Sequence, residues 1–225
     1  MLRAPYRDWT REALLAHFRG PRPVTYWPEL DAEQARAEKI EGIMRGRFEF
    51  NGEAFQLPDP VDFLRNPSSD VEWLILLHKF YYSVGLGEAF ARSGDRRYLE
   101  RWVELTERWI ETVPLDFLPG DVAGRRIQNW IFAQHYFVTS NQRDPVDPAF
   151  YCRFLASLAA QVDHLCEHLA PARNHRTLEL YAIFLAAVVM PEFEAAPRWL
   201  DLARRELGRN IESCLLYTSP SPRDS

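Results

Sequence analysis

The sequence predicts an all-α fold, namely an incomplete α/α toroid built of antiparallel helical hairpins, with a small β-hairpin near residues 47–57. From Asp70 onward, apolar residues recur at spacings of three to four, which is the period of amphipathic helices. Short loops separate these segments, so consecutive helices are expected to run antiparallel. The segment 178–190 is apolar on nearly every side and is expected to be buried all round, as in the inner ring of a toroid.

The elements before Asp70 are predicted from local signals. A helical stretch is expected over residues 27–46. Phe48 and Phe50 then alternate with polar neighbours, and Asn51-Gly52 is the strongest short signal for a hairpin turn. The next connection is expected to be ordered but not helical, because it contains Pro58, Pro60 and Pro67.

Six further helices are assigned from their apolar spacing and from the prolines that end two of them. In chain order they cover residues 70–92, 99–113, 122–140, 154–169, 174–190 and 199–211. Paired in sequence, they form three helical hairpins. Three hairpins are too few to close a ring, so we expect the toroid to be incomplete.

The composition excludes several classes of protein. With 225 residues, 47% hydrophobic and 26% charged, the chain is typical of one globular domain. A net charge of −5 argues against a nucleic-acid binder. No apolar run approaches about 18 residues, so no membrane span is expected. The N-terminus lacks the apolar core of a signal peptide, so either the protein is cytoplasmic or its true start is missing.

The end of the chain is unusual. Residues 214–225 read CLLYTSPSPRDS, and the eleven residues from Cys214 to Asp224 match the translation of a transposase adapter from sequencing libraries. The alternative is a disordered tail rich in serine and proline. We expect residues 1–213 to be the natural part of a fragment and residues 214–225 to be an adapter-derived tail. The remaining two cysteines, Cys152 and Cys166, form no disulfide framework.

The polar group Asn174-His175-Arg176 stands at the start of the fifth of these helices. Asparagine is a favoured N-cap, which would explain Asn174 without any function. Alternatively, the free N–H groups and positive dipole end of the helix face an anion, and Asn174 and His175 help to bind it. The two interpretations are compatible, since one face can cap while another binds.

Two other helices carry candidate residues. Arg126 and Trp130 share a face near the start of the third helix and could form an arginine clamp and an aromatic platform for an acidic sugar. The alternative is a surface arginine beside a core tryptophan. His164 and His168 are four residues apart, as in some metal sites. No third ligand has suitable spacing, so we expect no metal and no cofactor.

Three sequence blocks carry a resemblance to a known family. They are EWLILLHKFYYSVGLGEAFARSGD, GRRIQNWIFAQHYF, and RNHRTLELYAIFLAAVVMPEF with the tryptophan that follows it. Together they resemble the N-terminal helical domain of the bacterial heparinase II/III-like polysaccharide lyases, over roughly residues 40–213. That family joins an α/α toroid to an antiparallel β-sandwich domain. It cleaves uronate-containing polysaccharides, such as heparin, heparan sulfate and alginate, by β-elimination.

The resemblance implies roles for particular residues. Asn174 and His175 would contact the uronate carboxylate as catalytic residues. The residues expected to bind the substrate, or to orient those that do, are Arg126, Trp130, Arg176 and Glu179. A catalytic tyrosine and a histidine of the β-sandwich would lie beyond Ser213, so the fragment is expected to be inactive. The implied partners are an acidic polysaccharide and the missing C-terminal domain. The implied location is periplasmic or exported.

Two other functions stay open at this stage. A non-catalytic helical scaffold or carbohydrate-binding module is one, although the chain shows no fixed repeat period. An α/α-barrel hydrolase of uronic sugars is the other, acting through paired carboxylates. Its carboxylates cannot be chosen among the plausible Asp70, Glu72, Asp116 and Asp121.

Overall fold

The structure is a computed structural model that describes residues 1–141, 143, 145–171 and 173–217, without the side chains of residues 173 and 211–217. Nine α-helices and two strands lie in this part. They are α1 Arg11–Arg19, α2 Ala37–Met44, β1 Arg47–Phe50, β2 Glu53–Gln56, α3 Val71–Lys79, α4 Tyr81–Ser93, α5 Arg96–Thr112, α6 Gly120–Gln134, α7 Pro148–Glu167, α8 Arg173–Val189 and α9 Ala196–Tyr217. A π-helical turn, His135–Thr139, extends α6. In the described residues, no helix is both long and apolar enough to cross a membrane.

The last six helices form three hairpins arranged as an arc. The pairs are α4 with α5, α6 with α7, and α8 with α9. Helices α4, α6 and α8 contact one another in turn, with α6 in the middle, and α5, α7 and α9 lie behind them in the same order. An inner and an outer layer of helices built in this way is the α/α toroid arrangement that the sequence predicts.

The predicted β-hairpin is confirmed. Strands β1 and β2 pair antiparallel, with Arg47 opposite Gln56. Asn51 and Gly52 both have positive φ, 52° and 78°, as a two-residue hairpin turn requires. Phe48 and Phe50 are buried, so the hairpin packs its apolar face on the helical core.

The predicted helix over residues 27–46 is wrong for most of its length. Only α2 is helical, and residues 22–36, which we call the strap, cross the inner helices instead. The Tyr26 hydroxyl donates to the Ile131 carbonyl of α6 at 3.2 Å. The Asp31 carboxylate accepts from the backbone N–H groups of Glu33 and Gln34, a local turn that competes with helix formation.

The predicted helix over residues 70–92 is interrupted at Phe80, which has φ 59° and lies in the left-handed region. The break frees carbonyl groups at the end of α3, and neighbouring side chains bind them. Asn129 donates to the Lys79 carbonyl at 2.7 Å, and the Ser83 hydroxyl donates to the Phe80 carbonyl at 2.7 Å. The sequence gives no warning of this break, because phenylalanine rarely adopts positive φ.

The expectation that α8 is buried all round is also wrong. Tyr181 and Val188 are 39% and 44% exposed, and Phe184 and Leu185 are half-buried. Helices α6, α7 and α9 cover the other sides of α8. The strip that contains Tyr181 and Val188 is exposed. A helix can therefore be apolar all round and still keep one open side.

Two glycines let α6 and α8 approach closely near their N-termini. A Cβ added to Gly124 would lie 3.2 Å from the Leu178 carbonyl oxygen and 3.3 Å from the Glu179 Cα. A Cβ added to Gly120 would overlap the Glu179 carboxylate. The spacing of the two inner helices at this end therefore depends on glycine.

Gly124→Val is expected to lower the free energy of unfolding by about 1–3 kcal/mol, because its side chain would press on the backbone of α8. Gly208→Ala is the control. Gly208 lies in the middle of α9, and a Cβ added there would meet no atom within 4 Å. That change should raise stability by up to about 1 kcal/mol through helix propensity. Urea unfolding followed by circular dichroism measures both. A loss at Gly208 equal to that at Gly124 would contradict the close approach.

Candidate functional site

The N-terminal ends of α6 and α8 lie side by side. Gly124, in the second turn of α6, packs against Leu178 and Glu179, in the second turn of α8, so the two helices run parallel here. Both helices therefore present their unpaired N–H groups and positive dipole ends at the same end of the arc. Paired helix ends of this kind favour a negatively charged ligand.

Asn174 and His175 lie in the first turn of α8, and both are exposed. Because α8 begins at Arg173, Asn174 is its second residue, and the predicted N-cap role for Asn174 is wrong. The His175 side chain is 67% exposed, and its Nδ1 lies 3.0 Å from Oδ2 of Asp121, whose side chain is only 15% exposed.

Arg176 and Glu179 hold the segment before α8 in place. Arg176 Nη2 lies 2.6 Å from Oε2 of Glu206 on α9, and its Nη1 donates to the Ala170 carbonyl at 2.8 Å. Glu179 is buried and accepts the Ala170 N–H at 2.8 Å. Burial raises the pKa of Glu179, and the nearby Asp121 charge adds to the rise. The contacts of Arg176 and Glu179 are typical of residues that orient a site.

Arg126 and Trp130 point into the core, which corrects their assignment as substrate contacts. Arg126 is 3% exposed and lies 4.0 Å from the ring centre of Trp109, while its Nε donates to Gln161 at 2.7 Å. Trp130 has no exposed surface. Nearly every side of α6 is covered, and its half-buried residues are Gly120, Asp121 and Arg125. A polysaccharide has no access to Arg126 or Trp130 in this structure.

A polar cavity of about 220 Å³ lies between the strap, α4 and α6. Its lining residues are Glu29, Asp31, Tyr81, Arg125, Gln128 and Asn129. Arg125 Nη1 donates to Gln128 Oε1 at 2.9 Å. Burial raises the pKa of Tyr81 above its ordinary value. The cavity therefore offers one guanidinium donor and two carboxylate acceptors, together with hydroxyl and amide groups.

Sequence reasoning missed part of this arrangement. The sequence identifies Asp121 only as one of several plausible carboxylates, and it does not identify Tyr81 or Arg125 as site residues. The strap residues Glu29 and Asp31 were placed in a helix. One signal was available: Gly120 and Asp121 follow Pro119, and acidic residues favour the first turn of a helix.

The two histidines weighed as metal ligands stack on each other at the C-terminal end of α7. The ring centres of His164 and His168 are 4.3 Å apart, and His168 Nδ1 bonds to the His164 carbonyl at 2.9 Å. Among the described residues, no group of three His, Cys, Asp or Glu side chains could hold a metal ion.

The fold and site define a class of protein, an α/α toroid domain whose inner helices present polar side chains at one end. The chain belongs to the family described as Heparinase II/III N-terminus, whose sequence model matches residues 4–217. This match confirms the family resemblance that the three sequence blocks carry.

Individual relatives agree with this assignment. A heparin-sulfate lyase of Bacteroides thetaiotaomicron is 24% identical over 148 residues, which cover 62% of this chain and 21% of the relative. A heparin-sulfate lyase of Bacteroides stercoris is 24% identical over 186 residues, covering 70% of this chain and 28% of the relative. The chain therefore spans roughly a quarter of the length of these curated relatives.

Solved structures show the same fold. A heparan sulfate lyase mutant from Pedobacter heparinus matches with a TM-score of 0.78 at 24% identity, covering 90% of this chain and 35% of the other. A heparinase III structure matches with a TM-score of 0.79 at 19% identity, covering 89% of this chain and 35% of the other. The predicted toroid fold is thereby confirmed.

Proposed function

We propose that this chain is the toroid part of a polysaccharide lyase that cleaves a uronate-containing polysaccharide by β-elimination. The observation that carries the proposal is the placement of Asn174 and His175, exposed at the paired positive ends of α6 and α8. The names of the two curated relatives support the same chemistry. Heparin-like or alginate-like chains are the proposed substrates.

The chemistry needs the residue types found at this end of the arc. When the proton at C5 of a uronate leaves, negative charge develops on the adjacent carboxylate. Donors fixed in advance around that carboxylate stabilise the transition state more than the ground state. The Asn174 amide and a protonated His175 ring can both donate to it, and the ends of α6 and α8 add their partial positive charge.

The polysaccharide would extend from this carboxylate position towards the cavity between the strap, α4 and α6. There Arg125 can pair with an acidic substituent, and Glu29 and Asp31 can accept from sugar hydroxyls. Arg176 and Glu179 orient the start of α8 without touching the sugar. We further propose that the proton acceptor at C5 and the acid at O4 belong to parts of the longer protein beyond residue 213. A C-terminal β-sandwich domain would supply one of them.

Replacing both Asn174 and His175 by alanine in the longer protein should reduce elimination by about 10²-fold or more, since single oxyanion donors are worth that much elsewhere. The unsaturated uronate product absorbs ultraviolet light, so its rate of formation is the measurement. His168→Ala, at an exposed histidine just after α7, is the matched control and should leave the rate unchanged.

The same assay separates the alternatives. A hydrolase would consume the polysaccharide without forming an ultraviolet-absorbing product. A non-catalytic module would bind the polysaccharide and form no product at all. Residues 1–213 alone are expected to bind a uronate oligosaccharide and not to cleave it, so cleavage by that piece would contradict the proposed position of the base.

A further inference from the structure

We infer that Asp121 is a positioning residue that fixes the ring of His175, and this inference rests on the proposed function. Asp121 Oδ2 lies 3.0 Å from His175 Nδ1. The aspartate side chain is largely buried, whereas the histidine side chain is mostly exposed. The protein therefore holds the aspartate in place, while the histidine ring is exposed.

The position of Asp121 is set by rigid elements. It is the second residue of α6, where the helix dipole favours a carboxylate. Its neighbour Gly120 packs directly against Glu179 of α8, and Gly124 packs against the α8 backbone one turn further on. These two close approaches hold the first turn of α6 at a fixed distance from the first turn of α8.

Other charged side chains near His175 are already engaged. The Glu179 carboxylate accepts the Ala170 N–H, and Arg176 pairs with Glu206. Neither is within salt-bridge distance of the His175 ring in the described structure, whereas Asp121 is. The ring orientation of His175 therefore depends on Asp121.

Asp121 Oδ2 and His175 Nδ1 lie at ion-pair distance. An ionised carboxylate only accepts hydrogen bonds, so this proximity favours the ring form that carries its hydrogen on Nδ1. Nε2, on the opposite side of the ring, is then directed away from Asp121. When both ring nitrogens carry hydrogens, Nε2–H can donate to an anion. A buried aspartate holds a histidine in one tautomer in the same way in serine proteases.

The first test is nitrogen-15 NMR of the imidazole rings in the 225-residue chain, which has six histidines. At a pH where the His175 ring is neutral, the wild-type signal should show the hydrogen on Nδ1. In Asp121→Ala the hydrogen should move to Nε2, the position that a free neutral histidine prefers. Asp116→Ala, at an exposed carboxylate just before α6, is the control and should change nothing. Circular dichroism checks that each variant is folded.

The second test is affinity for a heparan sulfate oligosaccharide, measured by calorimetry on the same variants. Asp121→Ala should weaken binding about tenfold, the lower end of the loss seen when the partner that orients a metal-ligating histidine is removed. A neutral wild-type ring with its hydrogen on Nε2 would overturn the inference even if Asp121→Ala failed to fold. So would an unchanged tautomer in a folded Asp121→Ala.

The two tests keep this inference separate from the proposed function. A tautomer that shifts as expected, while His175→Ala leaves affinity unchanged, would support the positioning contact and overturn the carboxylate-binding role. Weaker binding by His175→Ala with no tautomer shift in Asp121→Ala would support the proposed function and overturn the positioning role.

Discussion

Glu192→Ala is expected to lower the free energy of unfolding by about 3–5 kcal/mol, the usual loss when one partner of a buried ion pair is removed. Glu192 follows α8 and is almost completely buried. Its carboxylate accepts from Arg22 at 2.7 and 2.9 Å and bonds to His17 Nε2 at 2.7 Å. Without it, the buried Arg22 guanidinium loses its counter-charge.

Arg22 is the first residue of the strap, so the loss would reach the candidate site. The guanidinium also donates to the Val189 carbonyl at 2.7 Å and lies 4.5 Å from the Phe18 ring centre. These contacts fix the strap to the C-terminal end of α8. The strap then crosses α6 and carries Glu29 and Asp31 to the polar cavity. Weakening the contact between Arg22 and Glu192 should therefore make the strap side of that cavity less ordered.

The contribution of Glu192 should also depend on pH. Burial raises the pKa of Glu192, but hydrogen bonds from Arg22 and His17 outweigh that effect and hold it below the ordinary value of 4.5. A carboxylate with a lowered folded-state pKa contributes its full stability above its unfolded pKa. The difference between wild type and Glu192→Ala should therefore be largest above pH 4.5 and shrink as the pH falls below it.

Urea unfolding at several pH values measures this difference directly. Glu194→Ala is the matched control, because it removes an exposed carboxylate two residues further along. That change should stay within about 0.5 kcal/mol. Equal, small losses for both variants would show that Glu192 does not anchor the strap.

Much of the fold could be predicted because its signals are local. Asn51-Gly52 specifies a hairpin turn by its own backbone preferences, and the structure has that turn. The helices from α5 to α9 follow from apolar spacing within each segment. The break at Phe80 and the path of the strap could not be predicted in this way. Both depend on contacts with α6, which is distant in the sequence.

In the candidate site, too, some residues can be predicted from local patterns, whereas contacts between distant segments cannot. Asn174 and His175 stand out because polar residues open an otherwise apolar helix. The pairing of His175 with Asp121 depends on how α6 packs against α8, and no pattern within either helix reveals it. Arg126 was misassigned because a charged residue next to a tryptophan resembles a sugar-binding face. The sequence alone does not show that this face of α6 is covered by α3, α5 and α7.

Trp130→Ala is expected to lower the free energy of unfolding by about 3–5 kcal/mol, because it would leave a large cavity in the core. The Trp130 ring stacks on Phe154 at 5.4 Å between ring centres and forms T-shaped pairs with Trp109 at 5.4 Å and Phe80 at 5.7 Å. It thereby joins α6 to α7, α5 and the break between α3 and α4.

Trp27→Ala is the matched control, since this strap residue is 81% exposed and its removal should cost no more than about 0.5 kcal/mol. Trp130→Phe, which keeps an aromatic ring in the cluster, should lose less stability than Trp130→Ala. Urea unfolding of the three variants measures the order. A platform for sugar would behave in the opposite way, because Trp130→Ala would then weaken oligosaccharide binding while leaving stability close to that of Trp27→Ala.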